Sequence, residues 1–152
     1  LEAVNYAKSV MPELVLTSDV IVGFPGETEE DFEETVRTLE RIRPAYLHIF
    51  PYSRRAGTPA AARTDQVPEI VKSRREEVLR NLCKRLHSEF VAANIGRDVS
   101  VLFESTEKGG FLSGYTDNYI SVKRPADPSL IGKIVRMSLR EEEVQNPTES
   151  ES

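Results

Sequence analysis

Two short clusters in this sequence carry side chains able to recognise a charged or aromatic ligand. The first is Pro51-Tyr52-Ser53-Arg54-Arg55, which closes an apolar run. A guanidinium presents a planar donor fork suited to phosphate or carboxylate. Either arginine can therefore bind an RNA backbone or hold part of a site, and the plainer alternative is a solvated basic turn before Gly57. The second cluster is Tyr115, Asn118, Tyr119, Lys123 and Arg124. Aromatic faces stack on unpaired bases while neighbouring cations track the phosphates, so this is the best RNA-contact candidate. The competing expectation places Tyr119, and less strongly Tyr115, in a small β core. No catalytic side chain is assigned. His48, inside an apolar strand, reads as a hydrogen-bonded residue rather than a catalyst.

Sulfur narrows the chemistry further. The 152 residues contain one cysteine, Cys83, which excludes an internal disulfide and any cysteine-built metal site within one chain, and fits a reducing cytoplasm. It lies on the apolar side of a helix and reads as a small core hydrophobe. The longest apolar runs are too short to span a membrane, and no export leader opens the chain. Leu1 in place of Met leads to the expectation of a segment of a larger protein.

The net charge of −5 is unevenly placed. Residues 1–62 hold 6 Lys/Arg against 10 Asp/Glu, residues 63–95 and 96–140 each hold 7 against 5, and the last twelve hold 0 against 5. The middle and the later part are mildly basic, so nucleic acid is permitted as a partner but not required.

The elements that position these residues form three segments and a tail. Residues 1–62 read as the end of a helix followed by β–α–β. A strand is expected within 14–23, a Phe24-Pro25-Gly26 turn, a helix capped by Thr28 with Asp31 in a capping-box position, a stop at Pro44, and a second strand at 46–50. A parallel pair needs neighbours to bury its strands, so two strands again suggest a cut from a larger sheet or barrel. Residues 63–95 read as a connecting helix from about Pro68 to Asn94, with an apolar stripe at Val67, Val71, Val78, Leu82, Leu86 and Phe90 and Gly96 at its left-handed cap. Residues 96–140 alternate with period two. They are expected to form a small antiparallel barrel, with Phe111, Leu112, Tyr115, Tyr119, Ile120, Val122, Leu130, Ile131, Ile134, Val135, Met137 and Leu139 supplying its core. Residues 141–152 are acidic and expected to be disordered.

Three ordered stretches resemble the methylthiotransferase branch of the radical S-adenosylmethionine enzymes. They are Asp19-Val-Ile-Val-Gly-Phe-Pro-Gly-Glu-Thr28, His48-Ile-Phe-Pro-Tyr-Ser-Arg-Arg-Ala-Gly-Thr-Pro-Ala60, and the region Gly96–Arg140, which resembles a TRAM domain. The implied fold class is α/β plus all-β: the last strands of a partial TIM-like barrel, a long connecting helix and a small RNA-binding β-barrel. The resemblance implies tRNA as substrate, with the anticodon stem-loop as partner. It also implies S-adenosylmethionine and two [4Fe–4S] clusters in the full-length enzyme. The cluster cysteines would lie in a missing N-terminal part, and this chain alone would be inactive.

By the same resemblance Ile21 would pack on the cofactor's adenine and Gly23 would let the backbone approach it. Pro51, Tyr52 and Ser53 would offer backbone groups to the adenine edge. Arg54, Arg55, Tyr115, Asn118, Tyr119, Lys123 and Arg124 would contact RNA. The generic motif of this strand is Gly-x-Ile-x-Gly-x-x-Glu; here Asp19 replaces its first glycine and the acid comes one residue late, at Glu27. The stretches at 48–53, 101–104 and 114–119 most resemble the branch acting on threonylcarbamoyl-adenosine. The alternatives are the branch modifying an aspartate of a ribosomal protein, and a stand-alone RNA-binding or assembly module.

Overall fold

A computed structural model describes residues 1–107 and 109–145, apart from the side chains of 105–107. The chain divides into two compact units, Leu1–Glu89 and Phe90–Ser152.

The first unit runs α1 (Glu2–Val10), β1 (Thr17–Val22), α2 (Glu29–Ile42), β2 (Tyr46–Pro51) and α3 (Pro59–Ala62), then most of α4 (Glu69–Asn94). β1 and β2 pair in parallel, from Thr17 opposite Tyr46 to Val22 opposite Pro51. The start of α2 is set locally. The Asp31 N–H donates to Thr28 Oγ1 at 3.1 Å, and the Thr28 N–H donates to Asp31 Oδ2 at 3.0 Å, closing the expected capping box. Its end is set by Pro44, which disfavours helical backbone in the residue before it. Arg43 leaves the helix in the left-handed region, with φ 50°.

One face of the two-stranded sheet, through Val20, Val22, Leu47 and Ile49, packs with Phe32 and Leu39 of α2 and with Leu79, Leu82 and Leu86 of α4. The other face leaves Ile21 54% and Phe50 50% exposed. On α4 the packed line differs from the expected stripe. It runs Lys72, Arg75, Leu79, Leu82, Leu86, all buried, whereas Val78 is exposed. These spacings of three and four form one helix face, but two of its five members are cations, so apolar residue type alone does not reveal it.

The second unit holds the last turn of α4, then β3 (Asp98–Glu107), β4 (Phe111–Thr116), β5 (Ser121–Pro125) and β6 (Ile134–Ser138). They form one antiparallel sheet in the order β5-β4-β3-β6. Its core is Val99, Val101, Phe103, Leu112, Ile120, Val122 and Leu139. Gly114 sits opposite Phe103 beside a register shift in β3. A Cβ there would meet the Leu102 carbonyl and come within 2.9 Å of Phe103 Cα, so only glycine fits.

The expected barrel does not close: among the described residues this is an open four-stranded sheet. After Ala126, whose N–H still bonds the Gly110 carbonyl at 2.9 Å, the chain leaves the sheet, because Pro128 lacks an N–H donor and Asp127 instead caps a 3₁₀ turn at Pro128–Leu130. Residues 141–145, expected within a disordered tail, form a 3₁₀ turn at Glu141–Glu143 and a bridge from Val144 to Val122. The rest of that tail, 146–152, lies outside the described residues. Among the described residues no helix is long and apolar enough to cross a membrane.

Candidate functional site

The carboxyl ends of β1 and β2 bring together residues that the sequence keeps about thirty positions apart. Ile21 is paired with Phe50 across the two strands, and both expose their side chains on the uncovered sheet face. The Tyr52 N–H donates to the Val22 carbonyl at 2.8 Å, which carries the pairing one residue past Pro51. Phe24 meets the Tyr52 ring edge-on at 5.3 Å. Gly23 has φ +70°, a conformation that favours glycine.

Two buried cations from α4 hold this corner. Arg75 donates through Nη1 to Glu27 Oε2 at 2.5 Å and to the Glu27 carbonyl at 3.2 Å. Its Nη2 donates to the Thr28 carbonyl at 3.0 Å and to Glu29 Oε2 at 3.1 Å. The same Glu27 Oε2 accepts the Gly23 N–H at 2.6 Å. Lys72 lays its methylene stem where a Gly23 Cβ would stand. Its Nζ donates to the Tyr52 carbonyl at 3.0 Å and to Glu69 Oε1 at 2.7 Å. Arg75 and Lys72 are only 3% and 5% exposed. Buried charges persist where they are paired and hydrogen-bonded, and here the acceptors belong to the two strand-end loops. The guanidinium of Arg75 beside Glu29, then that of Arg74, holds the Glu29 carboxyl below its usual range. The Tyr52 hydroxyl is buried with no hydrogen-bond partner among the described residues.

The next loop separates the two adjacent arginines. Arg54 Nε donates to the Ala61 carbonyl at 2.8 Å, fastening the loop to α3, whose first turn Thr58 caps. Arg55 is exposed. Its carbonyl accepts the Thr58 hydroxyl at 2.8 Å, and its guanidinium is left to face solvent. Cys83 is half-buried, its thiol pushed up by burial, with Sγ 3.7 Å from the Leu47 carbonyl.

In the second unit, strand alternation sorts the other cluster onto two faces. Tyr115 and Ser121 are paired, as are Ser113 and Lys123, and Leu102 lies between Tyr115 and Ile134 in register. Tyr115, Leu102 and Ile134 are all exposed, so they form a row across the outer face, with Lys123 on the neighbouring row. Lys123 Nζ also lies 4.9 Å from the Phe111 ring centre. Arg124 points the other way and sits 5.9 Å over the Phe103 ring. Asn118 anchors the β4–β5 turn: it accepts the Thr116 hydroxyl at 2.6 Å and donates to Asn94 Oδ1 at 3.0 Å. Tyr119 is 70% exposed with φ 67°, a left-handed conformation that costs a non-glycine residue on the order of 1–2 kcal/mol. Tyr119 is therefore outside the core, and so are Tyr115, Phe111, Ile131 and Ile134 of the expected core set.

No family model matches this chain. Curated relatives do. The threonylcarbamoyladenosine tRNA methylthiotransferase MtaB of Bacillus subtilis (strain 168) is 42% identical over 142 residues, covering 91% of this chain and 32% of the relative. The tRNA-2-methylthio-N(6)-dimethylallyladenosine synthase of Acetivibrio thermocellus is 43% identical over 134 residues, covering 87% of the chain and 28% of the relative. The synthase of the same name from Wolbachia pipientis wMel is 47% identical over 109 residues, 72% of the chain and 25% of the relative.

The chain is homologous to part of the tRNA methylthiotransferases.

It spans about a third or less of the length of the relatives it matches. Within the segment these relatives match, the structure brings Ile21, Gly23, Pro51 and Tyr52 to one corner. It separates Arg54 from Arg55, and Lys123 from Arg124. Sequence reasoning missed Lys72 and Arg75. The available signal was the three-four spacing of Leu79, Leu82 and Leu86, which continues towards the N-terminus of α4 onto Arg75 and Lys72. Ile134, placed in the expected core because an apolar side chain on a strand is assigned there by default, is exposed beside Leu102.

Proposed function

We propose that this chain is the C-terminal part of a cytoplasmic tRNA methylthiotransferase that places a methylthio group on threonylcarbamoyl-adenosine beside the anticodon. The observation that carries the reading is the 42% identity to the Bacillus subtilis relative over 91% of the chain, which includes both the strand-end corner and the aromatic sheet face. Identity to the two kinds of relative is alike, 42% and 43%. The choice of threonylcarbamoyl-adenosine therefore rests on the stretches at 48–53, 101–104 and 114–119.

The corner fits S-adenosylmethionine. Ile21 and Phe50 present apolar surface for a purine, and the left-handed Gly23 keeps the strand-end backbone free of a side chain. The cofactor, when bound, supplies the methyl and radical chemistry of the reaction; the residues here bind it, orient it and keep its loops in place. The Tyr52 N–H is engaged with Val22 and its carbonyl with Lys72, so the Pro51 carbonyl, as an acceptor, and the Ser53 backbone are better placed for adenine-edge contacts. Arg55 is the better of the two arginines for phosphate, since Arg54 is tied to Ala61. Iron–sulfur clusters need sets of cysteine thiolates, and 152 residues with one cysteine provide none. The cluster ligands thus belong to a part of the enzyme outside this sequence, as does the remainder of a TIM-like barrel that would cover the open face of β1 and β2.

The second unit acts as a TRAM-like RNA-binding module. Tyr115 on the outer face and Tyr119 at its turn supply stacking surfaces, and Lys123 supplies positive charge. The test is binding of the 152-residue chain to an anticodon stem-loop across a salt series, alongside methylthiolation by the full-length enzyme. The expected result is RNA binding that weakens steeply with salt, modification by the full-length enzyme and none by this chain. Indifference to RNA at low salt would favour the ribosomal-protein branch, and methylthiolation by the chain alone would refute its division from the cluster-bearing part.

A further inference from the structure

We propose that Arg75 is a positioning residue for the cofactor: acting through Glu27, it holds the Gly23 backbone in the shape that receives S-adenosylmethionine. This rests on the reading of the strand ends as the cofactor site.

Three features separate Arg75 from an ordinary surface ion pair. It is almost completely buried, and the side chain of its main partner is only 12% exposed. It uses two nitrogens on four acceptors drawn from the consecutive residues Glu27, Thr28 and Glu29, so it grips the whole junction between the β1 loop and α2. Finally, one oxygen links the chain of contacts. Glu27 Oε2 accepts from Arg75 at 2.5 Å and from the Gly23 N–H at 2.6 Å. Gly23 directly follows Val22, and a two-residue step back along β1 reaches the exposed Ile21.

A guanidinium fork can span two carboxylates and two carbonyls at once, whereas an ammonium group is a point donor on a flexible stem. Lys72 completes the arrangement from the same helix. Its stem fills the space beside Gly23 and its head holds the Tyr52 carbonyl, so α4 sets both strand ends. The generic motif places its acid three residues after the second glycine. Here the acid comes at four, and Arg75 is the side chain that anchors this longer loop.

The experiment uses a full-length methylthiotransferase carrying this segment, with the variants Arg75→Lys, Glu27→Gln, their double combination, and Arg80→Met as a surface control. KM for S-adenosylmethionine, kcat and the thermal midpoint are measured for each. Arg75→Lys and Glu27→Gln should each raise the KM by about tenfold, since small displacements of positioning groups have large kinetic effects. The double variant should show about the same tenfold rise rather than the product of the two, because both act through one linkage. Arg80→Met should match the unaltered enzyme.

A purely structural role would lower the thermal midpoint and the amount of active enzyme while leaving the KM of the folded molecules unchanged. That outcome would overturn the proposal, as would multiplicative effects in the double variant. If the unaltered enzyme turned over without affinity for S-adenosylmethionine, the reading of the strand ends would itself fall, and this proposal with it. Should Arg75→Lys not fold, Glu27→Gln alone decides, because it keeps the shape and removes only the charge.

Discussion

The two candidate surfaces are built in opposite ways. At the ends of β1 and β2 the proposed cofactor corner is tied down from behind: Arg75 bonds Glu27, Glu27 accepts the Gly23 N–H, and Lys72 holds the Tyr52 carbonyl. On the sheet of the second unit, Tyr115, Leu102 and Ile134 lie in the open, placed by the pairing of their strands. A small cofactor must meet a backbone held to a fraction of an ångström, which favours buried charge networks that over-determine a loop. An extended polyanion is met instead by flat stacking surface and loosely placed cations. Rigidity is therefore expected to matter at the first surface, and side-chain identity at the second.

The largest effect should come from breaking the buried network. Arg75→Met would leave the Glu27 carboxylate without its main partner, and loss of one member of a buried pair costs about 3–5 kcal/mol. Urea unfolding should register it, and an unchanged midpoint would mean that the pair is dispensable. In the second unit the corresponding stability effect should come from Gly114→Ala, whose added methyl meets the backbone of Leu102 and Phe103. Overpacking of this kind costs about 1–3 kcal/mol, again measurable by unfolding.

Function should separate the regions more sharply. Tyr115→Ala and Tyr119→Ala should each weaken RNA binding by about 1–3 kcal/mol with little change in stability. Lys123→Ala should reduce the salt dependence of binding by about one phosphate contact. Equal losses from Arg124→Ala, which lies over Phe103 on the inner side, would contradict the sorting of the two faces.

The smallest expected effect concerns pH. The Thr28 N–H, and then its hydroxyl, hold the Asp31 carboxyl below its usual range. Such a group stabilises the fold above its unfolded pKa, and that contribution is lost as pH falls through the lowered folded value. Asp31→Asn should therefore flatten the acid side of the stability profile slightly and leave the profile above pH 7 parallel to that of the parent.

Much of the first unit was legible because its rules are short-ranged. Thr28 and Asp31 are three residues apart, Pro44 acts on its neighbour, and the two strands announce themselves by their β-branched and apolar residues. The motif residues Ile21, Gly23 and Tyr52 could be named from their order along the chain. The second unit was legible as alternating strands, but not as an open sheet. Its closure depended on whether residues 127–131 would pair, and Pro128 and the Asp127 cap turned them aside. Tyr119 was ambiguous for a similar reason, since nothing near it in sequence predicts a left-handed tyrosine.

The clusters at 51–55 and 115–124 thus came from the sequence alone, because residue type and close spacing state what chemistry is possible. Which members serve that chemistry was a tertiary decision. Arg54 is claimed by the Ala61 carbonyl and Arg55 is not; Lys123 shares a face with Tyr115 and Arg124 does not. The two cations behind the strand-end corner were hidden most completely. Arg75 finds Glu27 across 48 residues, and a charged residue on a helix declares itself buried only when the acceptors that neutralise it are folded against it.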